Sequence, residues 1–109
     1  MELDHLPELA DQLLAKARDA NSGRAAHSLR SGRDVKLRQT IIALAKGRAL
    51  ADHVAPGEAT LHVLQGSTRL RWEEQAVELR TGDWMDIPDA VHSLEAETDA
   101  VVLLTVAVR

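Results

Sequence analysis

The sequence predicts a mainly β domain, a sandwich or barrel of many short strands, preceded by one α-helix. Three observations carry that reading. Leu6, Leu9, Ala10, Leu13, Leu14 and Ala17 repeat at steps of three and four, the spacing that gathers apolar groups on one helix face. From Arg24 onward the apolar period changes to two, and glycine and proline punctuate the runs. The last run, AVVLLTVAV from Ala100 to Val108, is apolar on both faces, so both of its sides need cover.

The helix is expected over about residues 5–20, and Asn21-Ser22-Gly23 stops it. Asp4 is placed to cap its start, and Pro7 fits a first turn whose N–H groups have no intrahelical partner. The barrel is expected over about residues 24–108, in one domain. Its strands are read at Arg24 to Arg30, Val35 to Leu44, Leu50 to His53, Thr60 to Leu64, Thr68 to Trp72, Ala76 to Arg80, Trp84 to Ile87, His92 to Glu95 and Ala100 to Val108. Ser31-Gly32-Arg33-Asp34 fits a hairpin loop. With a turn at Glu73-Glu74, Arg69 falls opposite Glu78 on the solvent side and is expected to pair with it, while Leu70, Trp72, Val77 and Leu79 face the core. The outer side of the last strand must lie under the N-terminal helix or against a second subunit, so a homodimer is expected.

A chain of 109 residues has room for one domain with one core. Its 17 acidic and 13 basic residues leave a net charge of −4, and the arginines occur singly, which argues against nucleic acid and anionic membrane as partners. The N-terminus MELDHLPELA lacks the basic start and apolar run of a signal peptide, and the longest apolar stretch is too short to cross a bilayer. A soluble, cytoplasmic protein is the expectation. The chain has no cysteine, so any metal must rest on histidine and carboxylate. Tyrosine and phenylalanine are also absent, which leaves any aromatic pocket wall to Trp72 or Trp84. No serine sits on a glycine-flanked elbow and no glycine-rich phosphate cradle is present.

Two segments place a histidine in a glycine frame. Gly47 to Gly66, GRALADHVAPGEATLHVLQG, carries His53, and Gly82 to Ala96, GDWMDIPDAVHSLEA, carries Pro88 and His92. The pair resembles the two motifs of the cupin superfamily, over a stretch from about Leu37 to Ala107. That resemblance implies a cupin-type double-stranded β-helix, the jelly-roll barrel of RmlC-like proteins. It also implies a barrel that takes a small-molecule ligand and in which histidines and a glutamate hold a divalent transition metal such as iron, manganese, nickel or zinc. Here Ala55 stands at the position of the second histidine and Ala59 at that of the glutamate.

Glu58 and His62 are the residues that could replace the missing donors. They are four apart and therefore share a strand face. A one-residue bulge near Pro56-Gly57 would turn that face inward and give a metal set of His53, Glu58, His62 and His92. Without the bulge, Leu61 and Val63 form the inward face and His62 becomes a surface or interface residue. His5 and His27 have no partner at ligand spacing and read as surface residues, and Asp83 reads as a turn residue. Three functions follow as expectations: a small-molecule-binding cupin barrel, a metal-dependent oxygenase or isomerase acting on a small organic substrate, and a dimeric assembly or sensor module.

Overall fold

Residues Leu6–Asp19 form α1 in the computed structural model, which describes residues 3–55 and 57–108. Pro7 lies in the first turn as expected, but His5 rather than Asp4 holds the N-cap position, and no side chain caps the helix. At the other end the Ala20 N–H donates to the carbonyls of Lys16 and Ala17, and Gly23 adopts the left-handed conformation at φ +69°. The apolar stripe buries Ala10, Leu13, Leu14 and Ala17. Burying the two leucines contributes about 1.5–3 kcal/mol each.

Nine strands follow: β1 Arg24–Arg30, β2 Leu37–Leu44, β3 Ala49–His53, β4 Gly57–Gln65, β5 Ser67–Trp72, β6 Gln75–Arg80, β7 Trp84–Asp86, β8 His92–Ala96 and β9 Ala100–Val108. They form two antiparallel sheets, one of five strands in the order β1-β2-β9-β4-β7 and one of four in the order β3-β8-β5-β6. After β1 and β2 the chain passes back and forth between the sheets, apart from the β5–β6 hairpin, which produces the expected jelly roll. The expected strands are all present. β2 begins at Leu37 rather than Val35, and β4 extends beyond Thr60 to Leu64 at both ends.

Two apolar clusters result. Leu44, Leu61, Val63, Leu70, Leu79, Leu94 and Val102 fill the space between the sheets. Ile41, Ala43 and Val101 instead point to the outer face of the five-stranded sheet and pack against the buried stripe of α1. Neighbouring residues of β2 and β9 thus serve opposite cores, which is why these central strands carry no alternation. The helix covers the outer side of β9 at its beginning. Asp99 fastens this assembly: one carboxylate oxygen accepts the Lys46 backbone N–H at 2.8 Å, and the other accepts Arg18 Nε at 2.8 Å. The Lys46 N–H first, and then the Arg18 guanidinium, hold its carboxyl below the usual carboxylate range.

The β5–β6 hairpin has the expected register, with Arg69 opposite Glu78. The two do not form the expected ion pair. Arg69 Nη2 lies 3.5 Å from Glu97 Oε2, just past β8, because β5 is flanked by β8 as well as β6. Glu78 accepts the Ser67 hydroxyl at 2.9 Å and pairs with Arg80 at 3.3 Å, and these contacts lower its pKa. Leu79 is buried, but Val77 is 39% exposed because β6 is the sheet's edge strand. Among the described residues no helix is long and apolar enough to cross a membrane.

Candidate functional site

β8 lies between β3 and β5, so His92 has His53 of β3 on one side and Trp72 of β5 on the other. One layer deeper, the same strands set Leu50, Leu94 and Leu70 side by side in the barrel core. His92 is two residues from Leu94, and Trp72 is two residues from Leu70, so the strand period carries both onto the inward face. His53 stands three residues from Leu50, which in a regular strand would turn it outward. An irregularity of β3 between Leu50 and His53 absorbs the extra residue and sets His53 opposite His92.

The two imidazoles meet edge to face, with ring centroids 4.2 Å apart and planes at 62°. Nδ1 of His53 lies 2.8 Å from the Ala51 carbonyl oxygen, and Nδ1 of His92 lies 3.0 Å from that of Ala90. A carbonyl oxygen only accepts, so in each neutral ring Nδ1 carries the proton and donates it, and Nε2 keeps a free lone pair. His92 is buried and His53 is exposed, which places the pair at the rim of the barrel. Beneath them the interior is nearly full. The cavity bounded by the two histidines, Leu50, Leu94, Ile87 and Leu104 measures about 20 Å³, enough for one water molecule.

The remaining candidate ligands do not join this pair. From Gly57 to Val63 the ladder between β4 and β9 is unbroken, and its irregularity falls between Val63 and Gln65, at the far end of the strand. The bulge needed to turn Glu58 and His62 inward is therefore not found among the described residues; Pro56, which shared the expected position, lies outside them. Ala59, Leu61 and Val63 are buried. Their alternates Glu58 and His62 lie on the outer face, opposite Ala107 and Leu103, and Leu103 packs against the cluster under α1. Among the described residues, no group of three or more histidine or acidic side chains is placed to hold a metal ion. The set of four expected donors thus contributes two to one place, His53 and His92.

On the outer face Glu58, Thr60, Asp86, Asp89 and Thr105, with Leu37, line a groove of about 580 Å³. Its signature in the sequence is the run Glu58, Thr60, His62, which alternates polar groups along one side of β4. Trp84, opposite His62, is 59% exposed, whereas Trp72 is half-buried against the barrel core. His5 and His27 are exposed, as expected, and Asp83 accepts the Arg80 N–H at 2.7 Å in the turn before β7.

No protein-family profile matches the sequence, and no curated protein matches it. Solved structures do match. A cupin superfamily protein from Desulfitobacterium hafniense superposes with a TM-score of 0.69 at 15% identity, over 77% of this chain and 78% of that one. An RmlC-like cupin from Shewanella frigidimarina superposes with a TM-score of 0.70 at 20% identity, over 82% and 79%. A salicylate 1,2-dioxygenase variant from Pseudoaminobacter salicylatoxidans reaches a TM-score of 0.76 at 24% identity, over 92% of this chain but only 33% of the enzyme.

Proposed function

Starting from the cupin fold that the chain has in common with these structures, we propose that the rim at His53, His92 and Trp72 binds a small organic molecule that carries hydrogen-bond donors. The observation that supports this is the matched pinning of both Nδ1 atoms in two rings whose centroids lie 4.2 Å apart, which leaves an Nε2 lone pair on each ring. A hydroxyl or ammonium group of the ligand donates to them, and the indole of Trp72 offers an apolar wall. Because the space behind the pair measures only about 20 Å³, the ligand sits across the mouth rather than deep within the barrel. Salicylate is a natural first probe, since it has a hydroxyl group and appears in the name of a fold neighbour. Thermal-shift titration with a panel of hydroxylated acids, sugars and aromatics tests the reading. At least one compound stabilises the wild type, by about 2.7 kcal/mol when present at a hundred times its Kd. The gain is lost in His53→Ala and kept in His62→Ala. Equal stabilisation of the wild type and His53→Ala overturns the proposal.

A second reading rests on the same lone pairs. Metal-ligating imidazoles bind through a bare ring nitrogen while the other donates to a carbonyl, the arrangement of both rings here. The residues present do not fit a four-donor metal centre, since Ala55 and Ala59 bring no ligand atoms and Glu58 and His62 lie on the other face. Two imidazoles suit only a weakly held divalent ion such as iron, manganese, nickel or zinc, with the other positions taken by water or the ligand. Metal content of tag-free protein is the test. Stoichiometric metal that falls in His53→Ala supports this reading, and loading unchanged by that substitution sinks it.

A further inference from the structure

The expected reason for a second subunit was the outer side of β9, but α1 covers that side only at its beginning, through Val101 and Leu103. The rest of the outer face is open. Leu37 is 46% exposed and Trp84 59% exposed at its two flanks, and the groove lined by Glu58, Thr60, Asp86 and Thr105 lies between them.

Charge on this open region is divided about β9. On the β1–β2 side, Arg30, Arg33 and Lys36 stand within seven residues that hold one acid, Asp34. On the β4–β7 side, residues 54–62 and 82–92 contain no lysine or arginine, and Glu58, Asp86 and Asp89 face the groove. Arg30, Arg33, Lys36, Glu58, Asp86 and Asp89 are all exposed, and among the described residues none of them takes part in an ion pair. The two charged sides also lie at the same end of β9. The Val108 N–H donates to the Lys36 carbonyl at 2.8 Å, and Ala107 pairs with Leu37 on one side and Glu58 on the other.

We propose that this open half of the outer face is the contact with a second copy of the chain, the basic β1–β2 loop of each copy lying on the acidic groove of the other. Any two-fold axis that exchanges the two sides of β9 makes this match twice, because it carries the cationic side of one copy onto the anionic side of its partner. Leu37 and Trp84 then lose their exposed apolar surface in the same contact, and the charges set its register and its rate of association. A face with only one sign of charge could not pair with itself in this way. The contact is independent of what the barrel mouth binds.

Light scattering with size-exclusion chromatography tests the proposal on the wild type and two charge-reversed proteins, one with Glu58→Lys and Asp86→Lys, the other with Arg33→Glu and Lys36→Glu. All four positions are exposed, so folding is checked by circular dichroism and melting temperature. The wild type is a dimer at low salt whose dissociation constant rises as salt is added. Each reversed protein alone binds itself at least roughly tenfold more weakly. An equimolar mixture of the two restores a dimer containing one copy of each. A monomeric wild type at high micromolar concentration, a dimer that both reversals leave unchanged, or a mixture that stays monomeric each overturns the proposal. A wild type that is monomeric and whose groove takes up a basic peptide instead also overturns it.

Discussion

Strand β4 has two unlike faces. Inward it presents Ala59, Leu61 and Val63, all buried; outward it presents Glu58, Thr60 and His62, the first two lining a groove of about 580 Å³. The contrast explains why Glu58 and His62 do not join His53 and His92 among the described residues. A strand alternates its side chains strictly, so donors one residue out of phase with the interior cannot be recruited by small adjustments. Turning Glu58 and His62 inward would send Leu61 and Val63 into water. The apolar core therefore decides the register, and the polar side chains of β4 serve the outer surface.

The largest expected effect comes from setting adjacent positions of β4 against each other. Leu61→Ala removes a side chain that is 2% exposed and leaves a cavity, at a cost of about 2–5 kcal/mol. His62→Ala, one residue away on the other face, changes stability by no more than about 0.5 kcal/mol. Urea unfolding of the two variants measures both. A His62→Ala loss comparable to that of Leu61→Ala would show that His62 is an interior group and would undo the assignment of faces.

A smaller effect probes what pins the register. Gly57 opens β4 opposite Val108, and a Cβ built there overlaps the Ala107 carbonyl of the neighbouring strand. Gly57→Ala forces β4 and β9 apart at this end, an overpacking cost of about 1–3 kcal/mol. The stability loss should appear together with faster amide exchange in Ala107 and Val108 than in Val101 and Val102. Unchanged exchange at the β9 terminus would mean that the close approach is relieved without moving the ladder.

These two cases also mark what the sequence reveals. The helix stripe from Leu6 to Ala17, the nine strands and the β5–β6 register were all legible, because apolar period and turn residues encode them directly. His53 and His92 could be singled out by their glycine frames, and the structure sets them 4.2 Å apart. Their contact depends on an irregularity in β3 that no residue pattern announces. The position of the β4 irregularity was equally hidden, since one at Pro56-Gly57 and one near Leu64 leave the same alternation in the central part of the strand. The partner of Arg69 was missed for another reason. Register within a hairpin states which residues are opposite, whereas an ion pair depends on which third strand lies alongside.

The least costly test separates the part of the outer face that α1 covers from the part it leaves open. Asp99 ties the covered part together through Lys46 N–H and Arg18, with its side chain 33% exposed and that of Arg18 55% exposed. The arginine pair is accordingly screened, and the backbone hydrogen bond supplies most of the stabilisation. Asp99→Asn costs about 1 kcal/mol at neutral pH, since a charged acceptor becomes a neutral one. The sign of the pH dependence follows from the lowered carboxyl pKa in the folded state. The contribution of Asp99 is fully present above its ordinary value of 3.8 and is lost as pH falls through the lower folded value. Melting curves of the wild type and Asp99→Asn should thus differ by a constant amount through the neutral and mildly acidic range and converge only in strong acid. Arg18→Ala should give a smaller gap that added salt removes, while salt leaves the larger part of the Asp99→Asn gap in place. A gap for Asp99→Asn that salt removes completely would assign the fastening of the covered half to the Arg18–Asp99 ion pair rather than to the backbone hydrogen bond.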